Sequence, residues 1–365
     1  MNKMEYILHK QVEENKSPSI QYILFDKESI IKRYYTGVAD IKEKKELNKI
    51  TTYNSFSVTK TFTALSILQL AEQKILDIDQ PVIKYLSDFL YPQEITIRQL
   101  LTHSAGIPNP IPLSWIHLKN ENKSFDRNQF FKNIFFKNIK IKSKPNAKFA
   151  YSNLGYILLG QLIEKVSGKT YETYIEDNII KKLGIKKNEL GFEICETSKH
   201  AKGYIKRLSF YNLILSFFID KSKFMDKSEN GWKPFKNYYV NGAAYGGLIG
   251  TPDAFVIYIQ ELLKSDCRLI TNEYKKLLFT ENFTNEKKPT GMCMAWFSGQ
   301  LNGIKYFTHA GGGGGYYVEI RIYPDLGIGS LVFFNRTGMS DERFLDKVDK
   351  IYFENSTAMQ HTSCF

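Results

Sequence analysis

Strand-forming runs lie at both ends of this chain and helical patterns fill its middle, and that distribution constrains the fold more than any other feature. Near the start, "SIQYILFD" (19–26) and "SIIKRYYTGVAD" (29–40) are β-type segments joined by a tight Lys-Glu turn, a hairpin signal. Near the end, "GMCMAWF" (291–297), "KYFTHA" (305–310), "YYVEIRIYP" (316–324) and "GIGSLVFFNR" (327–336) read as strands too. Between them the apolar period is helical over 57–74, 153–166 and 170–183, and again after Thr251, the N-cap, with Pro252 as first helical residue. An amphipathic helix over 4–15 precedes the first strand. Another, over 341–353, carries Phe344, Leu345, Val348, Ile351 and Tyr352 on one stripe. The pattern predicts an α+β fold: one antiparallel sheet built from both chain ends and flanked by helices, with a helical domain inserted. The sheet part is expected at about 1–74 and 242–353 and the helical part at about 75–241, within a single module over 1–353; residues 354–365 read as a loose polar tail.

The formal charge of +12 raises the question of an anionic partner, but the lysines are scattered, and the densest cluster, "IKEKKELNK" (41–49), mixes both signs. A solvated lysine-rich surface is the expectation, with no nucleic-acid partner. The longest apolar stretch, "LSFYNLILSFFI" (208–219), is about half of what a membrane-spanning helix needs, so no membrane span is expected. It reads as core or interface, or else as a wall of the active site that favours apolar acyl groups. The first residues meet charge within ten positions and show no secretory signal, which points to a cytoplasmic protein. Cys195, Cys267, Cys293 and Cys364 lie far apart with no C-x-x-C pair, so neither a zinc site nor a disulfide framework is indicated.

Three short patterns could carry chemistry. In "SFSVTK", Ser57 and Lys60 stand at i and i+3 of a helix, where two side chains share a face. A serine hydroxyl needs a neighbouring base, and a desolvated lysine can serve because burial disfavours its charged form. A serine in the first turn also has a backbone N–H free to meet developing negative charge. Ser29 and Lys32 match the same pattern, but in a predicted strand, where i and i+3 point apart. In "FAYSNLGY", Tyr151 and Asn153 sit just before a helix expected to begin near Leu154. The phenol could relay a proton and the amide could hold lysine or substrate; a packed tyrosine and a helix-capping asparagine would look identical. Tyr239 and Asn241 repeat the pattern. The third is His309 in "HAGGGGGYYVEI". No Lys-Ser/Thr and no helix follow the glycines, which argues against a phosphate cradle. No Gly-x-Ser-x-Gly elbow exists for a lipase-type oxyanion loop. What remains is a strand edge whose backbone something else must approach closely.

As a set and in this order, Ser-x-x-Lys, Tyr-x-Asn and His-x-Gly resemble the serine β-lactamase-like, penicillin-binding hydrolases, in the branch holding class C β-lactamases, DD-peptidases, D-aminopeptidases and esterases. "LLTHSAGI" (100–107), "YGGLIGTPDAF" (245–255) and "YPDLGIGSLVFFN" (323–335) support the likeness, which covers roughly residues 5–353. The resemblance implies an acyl-enzyme mechanism without metal or cofactor on a small-molecule ester, amide or peptide. Ser57 would be the nucleophile, Lys60 its activating neighbour, Tyr151 the proton shuttle and Asn153 a substrate-positioning group. His309 would stand where many relatives have lysine, and the N–H groups of Ser57 and Gly312 would form the oxyanion hole. Which group removes the serine proton is left open. Side chains at Gly311 or Gly312 would intrude on the cleft, while Gly313, Gly314 and Gly315 read as a flexible turn. His103 is expected to be a structural hydrogen-bonder. The histidine in the third pattern and the lack of a signal segment argue against a β-lactamase or DD-carboxypeptidase. They leave an esterase-like or D-residue peptidase-like hydrolase, against the contrary reading of a catalytically silent binding protein.

Overall fold

The computed structural model describes residues 1–339 and 343–362, with side chains as far as Glu354. Strand β1 (Ser19–Asp26) is buried along nearly its whole length, which is why it reads as an unbroken apolar run. It pairs antiparallel with β2 (Ile30–Asp40), as in Tyr22 opposite Tyr34, and β2 with the short β3 (Lys45–Glu46). The C-terminal strands β4 (Phe297–Leu301), β5 (Ile304–Gly313), β6 (Tyr316–Tyr323) and β7 (Ile328–Phe334) form a meander. β7 closes onto β1, with Ile20 opposite Phe334 and Asp26 opposite Ile328. The sheet order is therefore β4-β5-β6-β7-β1-β2-β3, one antiparallel sheet made from the two chain ends.

Helices cover both faces. On one lie α1 (Lys3–Glu13), started by an Asn2/Glu5 capping box, and the C-terminal helix α6 (Phe344–Thr362). Their Met4, Leu8, Leu345 and Val348 pack on Tyr22, Leu24, Val332 and Phe334. The opposite face receives α2 (Thr59–Glu72), in which every residue from Thr59 to Ala71 is buried. A helix enclosed on all sides has no polar stripe, which accounts for its uniform sequence. Phe62 of α2 stacks on Tyr258 at 3.9 Å, on α5 (Pro252–Leu263), whose Phe255 meets Phe333 of the sheet. Thr251 caps α5 through the Ala254 N–H, with Pro252 in the first turn.

A buried polar knot ties α6 to the sheet. Asp349 accepts hydrogen bonds from Tyr22 (2.8 Å), Tyr323 (2.8 Å) and Ser330 (2.6 Å). Asp349→Ala would leave three buried hydroxyls without an acceptor. We expect it to cost about 3 kcal/mol in urea unfolding, since each orphaned group forfeits its hydrogen bond without regaining water.

Several expectations are corrected. Residues 291–296 are not strand: Gly291 and Ala295 have positive φ, Cys293 donates to the Trp296 carbonyl, and the buried segment turns back beside β5. A β-like composition here serves a packed turn. Of residues 208–219, read as core or interface, Leu215 and Ile219 join the core, whereas Leu208, Phe210, Tyr211, Leu213 and Phe217 are exposed around a short helix, Phe210–Leu215. The C-terminal helix extends to Thr362, into the segment read as a loose tail. Positions 341–342 of that expected helix and Cys364 fall outside the described residues. Among the described residues no helix is long and apolar enough to cross a membrane.

Candidate active site

Four segments meet on the α2 side of β5. The first is a 3-10 turn, Phe56–Val58, that leads into α2, so Ser57 precedes the α-helix rather than lying in its first turn. Phe56 has a φ of +46°, an uncommon conformation for a bulky residue and one that places strain beside Ser57. The Ser55 hydroxyl and N–H both donate to the Leu248 carbonyl and fix the start of the turn. Ser57 stays half-buried, while Lys60, one turn on, is fully buried.

The second segment is the start of α3 (Asn153–Ser167). Ser152, not Asn153, is its N-cap, accepting from the Gly155 N–H. The loop carrying His103 and Asn109 holds this start: Ser152 N–H donates to His103 Nδ1 (3.1 Å) and Asn153 N–H to Asn109 Oδ1 (3.0 Å). The His103 ring lies 4.2 Å from that of Tyr151 and 4.8 Å from that of Tyr156, in line with the structural part expected of it. Tyr151, directly before the cap, donates its O–H to Ser57 Oγ at 2.9 Å. The third segment is α4 (Ala243–Gly246), whose Tyr245 carbonyl faces Lys60.

Lys60 joins these parts. Its Nζ lies 3.0 Å from Ser57 Oγ, 2.9 Å from Asn153 Oδ1 and 2.8 Å from the Tyr245 carbonyl. No carboxylate is among these partners, and burial holds its pKa well below the usual lysine value. The rings of Tyr151, Tyr156 and Tyr245, 5.0–5.5 Å away, oppose that shift by favouring a cation. Such contacts contribute about 0.5–2 kcal/mol each, and the loss of hydration on full burial is the larger effect, so the shift stays downward. A neutral amine has two N–H bonds and one lone pair. In its deprotonated form the amine would give these two N–H bonds to Asn153 Oδ1 and the Tyr245 carbonyl, leaving its lone pair for the Ser57 hydroxyl. Tyr151 donates to the same serine oxygen, which links all five groups in one network.

The fourth segment is β5. Side chains alternate along a strand, so His309 and Gly311 share the face toward Ser57 while Gly312 takes the opposite one. A Cβ at Gly311 would run into the Ser55 carbonyl and come within 2.8 Å of Ser57 N. At Gly312 the nearest atom would be 3.8 Å away, on Tyr317 of the α6 face. Of the two positions, Gly311 alone leaves no room for a Cβ, and what that Cβ would meet is the backbone of the turn carrying Ser57. His309 is fully buried, its Nδ1 facing the Ala295 carbonyl and its Nε2 without a hydrogen-bond partner among the described residues. Burial pushes its pKa down to about 3, so it is neutral near pH 7. The turn after it is not loose. Tyr238 donates its O–H to the Gly314 carbonyl at 2.7 Å, and any side chain at 314 or 315 would collide with Tyr238 or with the Gly203 backbone.

The repeated patterns stay apart from this cluster. Ser29 donates to Asp26 on the exposed edge of the first hairpin, and Lys32 is exposed. Tyr239 accepts from Ile194 N–H and Asn241 bonds His117; both line a cavity of about 390 Å³ that none of Ser57, Lys60, Tyr151 or His309 lines. Sequence reasoning missed the Tyr245 and Ala295 carbonyls and Asn109. The stretch "YGGLIGTPDAF" marked the region of Tyr245, but a backbone acceptor carries no residue-type signal.

Comparison with known proteins places this geometry among relatives. The family described as Beta-lactamase matches residues 5–351. A penicillin-binding protein of Bacillus subtilis (strain 168) is 24% identical over 301 residues, covering 81% of this chain and 63% of its own length. Protein flp of Staphylococcus aureus (strain MW2) is 32% identical over 155 residues, 41% of this chain and 30% of flp. The chain thus spans less than two thirds of the length of these curated relatives. Among solved structures, the octameric penicillin-binding protein homologue from Pyrococcus abyssi superposes with a TM-score of 0.72 at 26% identity, covering 91% of this chain and 73% of that one. D-amino acid amidase from Ochrobactrum anthropi SV3 gives a TM-score of 0.76 at 20% identity over 99% of both chains, a likeness of fold.

Proposed function

The chain belongs to the Beta-lactamase family, and from that premise we propose that it is a serine hydrolase cleaving an ester or amide bond through an acyl intermediate on Ser57. The observation that carries the proposal is the fully buried Lys60, whose Nζ lies 3.0 Å from Ser57 Oγ and whose pKa burial holds well below the usual lysine value. In acylation the Ser57 proton passes to Lys60 Nζ as Oγ bonds to the substrate carbonyl carbon. Tyr151, hydrogen-bonded to the same oxygen, is the donor placed to protonate the leaving group. Water then attacks the acyl carbon, giving a proton to the Tyr151 phenolate, and Ser57 leaves with a proton returned from Lys60. Asn153 and the Tyr245 carbonyl position the amine, and His103 positions Tyr151.

His309 narrows the substrate. A lysine at this place would offer a cation to a substrate carboxylate; a neutral, fully buried imidazole offers none. That supports a substrate with no carboxylate on the leaving-group side of the scissile bond, and so an esterase-like or D-residue amidase-like reaction over action on β-lactams or D-alanyl carboxylates. The test is a panel of p-nitrophenyl esters, D-amino acid amides, D-alanyl peptides and a chromogenic cephalosporin, with peptide mapping of a fluorophosphonate adduct. We expect the adduct on Ser57 and turnover of neutral esters or amides. An adduct elsewhere, or no turnover across the panel, would overturn the hydrolase reading in favour of a silent binding protein.

A further inference from the structure

We propose that the ridge around helix Phe210–Leu215 is a docking surface for an anionic lipid membrane. Five large apolar side chains within ten residues project into solvent: Leu208 (85% exposed), Phe210 (71%), Tyr211 (53%), Leu213 (60%) and Phe217 (81%). Solitary exposed hydrophobics are ordinary, whereas a contiguous set marks an interaction site. The ridge is a built element. Ser209 caps the helix by accepting from Asn212 N–H, Asn212 Nδ2 donates to the Arg207 carbonyl (2.7 Å), and Leu215 and Ile219 are buried beneath it. The exposed side chains are thus held outward by an anchored underside.

Charge decides the occupant. Lys206 and Arg207 lead into the ridge, while Lys221 bonds the Asn212 carbonyl at its base and lies close enough to Lys233 for the two to repel. None of these four is ion-paired among the described residues, although Lys223 nearby pairs with Glu121. Unpaired cations beside exposed aromatic and aliphatic side chains match the headgroup and acyl layers of an anionic bilayer. A second copy fits less well, because a two-fold contact through the ridge would set these cations against themselves. Six residues of helix cannot span a bilayer, so the ridge lies in the interface, with the apolar tips below the headgroups.

Vesicle co-sedimentation of the full chain tests this, using phosphatidylcholine with and without about a quarter phosphatidylglycerol. The expected result is binding to anionic vesicles alone, weakened by salt. Phe210→Ser/Phe217→Ser and Arg207→Gln/Lys233→Gln should each lower the partition about tenfold, with melting temperature unchanged. Absence of binding, or binding that ignores both double variants, would overturn the proposal. So would light scattering that shows a dimer dissolved by the Phe210→Ser/Phe217→Ser pair in a protein that ignores vesicles, because the ridge would then belong to a second copy.

Discussion

Lys60→Met is expected to lower kcat by about 10³-fold on whichever ester or amide the enzyme turns over, within the range that general acid–base groups supply. Methionine fills the same buried slot, so the loss reads out the lone pair on Ser57 rather than the packing. The pH profile gives the sharper test. Burial depresses the Lys60 pKa, so activity should persist below the ordinary lysine value and fall only as pH drops through the lowered one. An acid limb near the ordinary lysine value would show a charged Lys60 and sink the assignment. The stability consequence has a definite sign. Between the lowered folded pKa and the unfolded value of about 10.4, the unfolded chain binds more protons, so stability rises with pH across that window. Wild type should therefore gain on Lys60→Met as urea titrations move from pH of about 7 to about 9.5.

The elements that sequence made legible are those whose burial is uniform or alternates regularly. β1, β6 and β7 appear as read because both faces of the sheet are covered, and α5 begins at Thr251 because cap and proline chemistry are local. Residues 291–296 failed for the opposite reason: Met292, Cys293, Met294 and Trp296 are as buried as any strand, but positive φ at Gly291 and Ala295 bends them into a turn. At the candidate site, side-chain identities were legible and backbone partners were not. Ser57, Lys60, Tyr151 and Asn153 do converge. The Tyr245 carbonyl, which sets the orientation of the Lys60 amine, could come only from the fold. The apolar stretch 208–219 shows a further limit, since periodicity cannot tell a buried surface from one held out for a partner.

The glycines beside His309 give the second large effect, and they separate two positions that sequence treats alike. Gly311→Val is expected to lower turnover by about 10²-fold or more, because any Cβ there forces β5 and the Phe56–Val58 turn apart and shifts Ser57 relative to Lys60 and Tyr151. The same overlap should cost about 1–3 kcal/mol of stability in urea titration, as other overpacked sites do. Gly312→Val should change turnover by less than about tenfold, since its Cβ would make only ordinary contact with Tyr317, on the face away from Ser57. Gly311→Ala is the cleaner probe: the clash is with backbone, so the smaller methyl should lose most of the activity that valine loses. Should Gly312→Val instead match Gly311→Val with its stability intact, the substrate's approach along β5 would be the sensitive feature. The requirement for bare backbone would then come from the ligand side of the strand, not from the turn that carries Ser57.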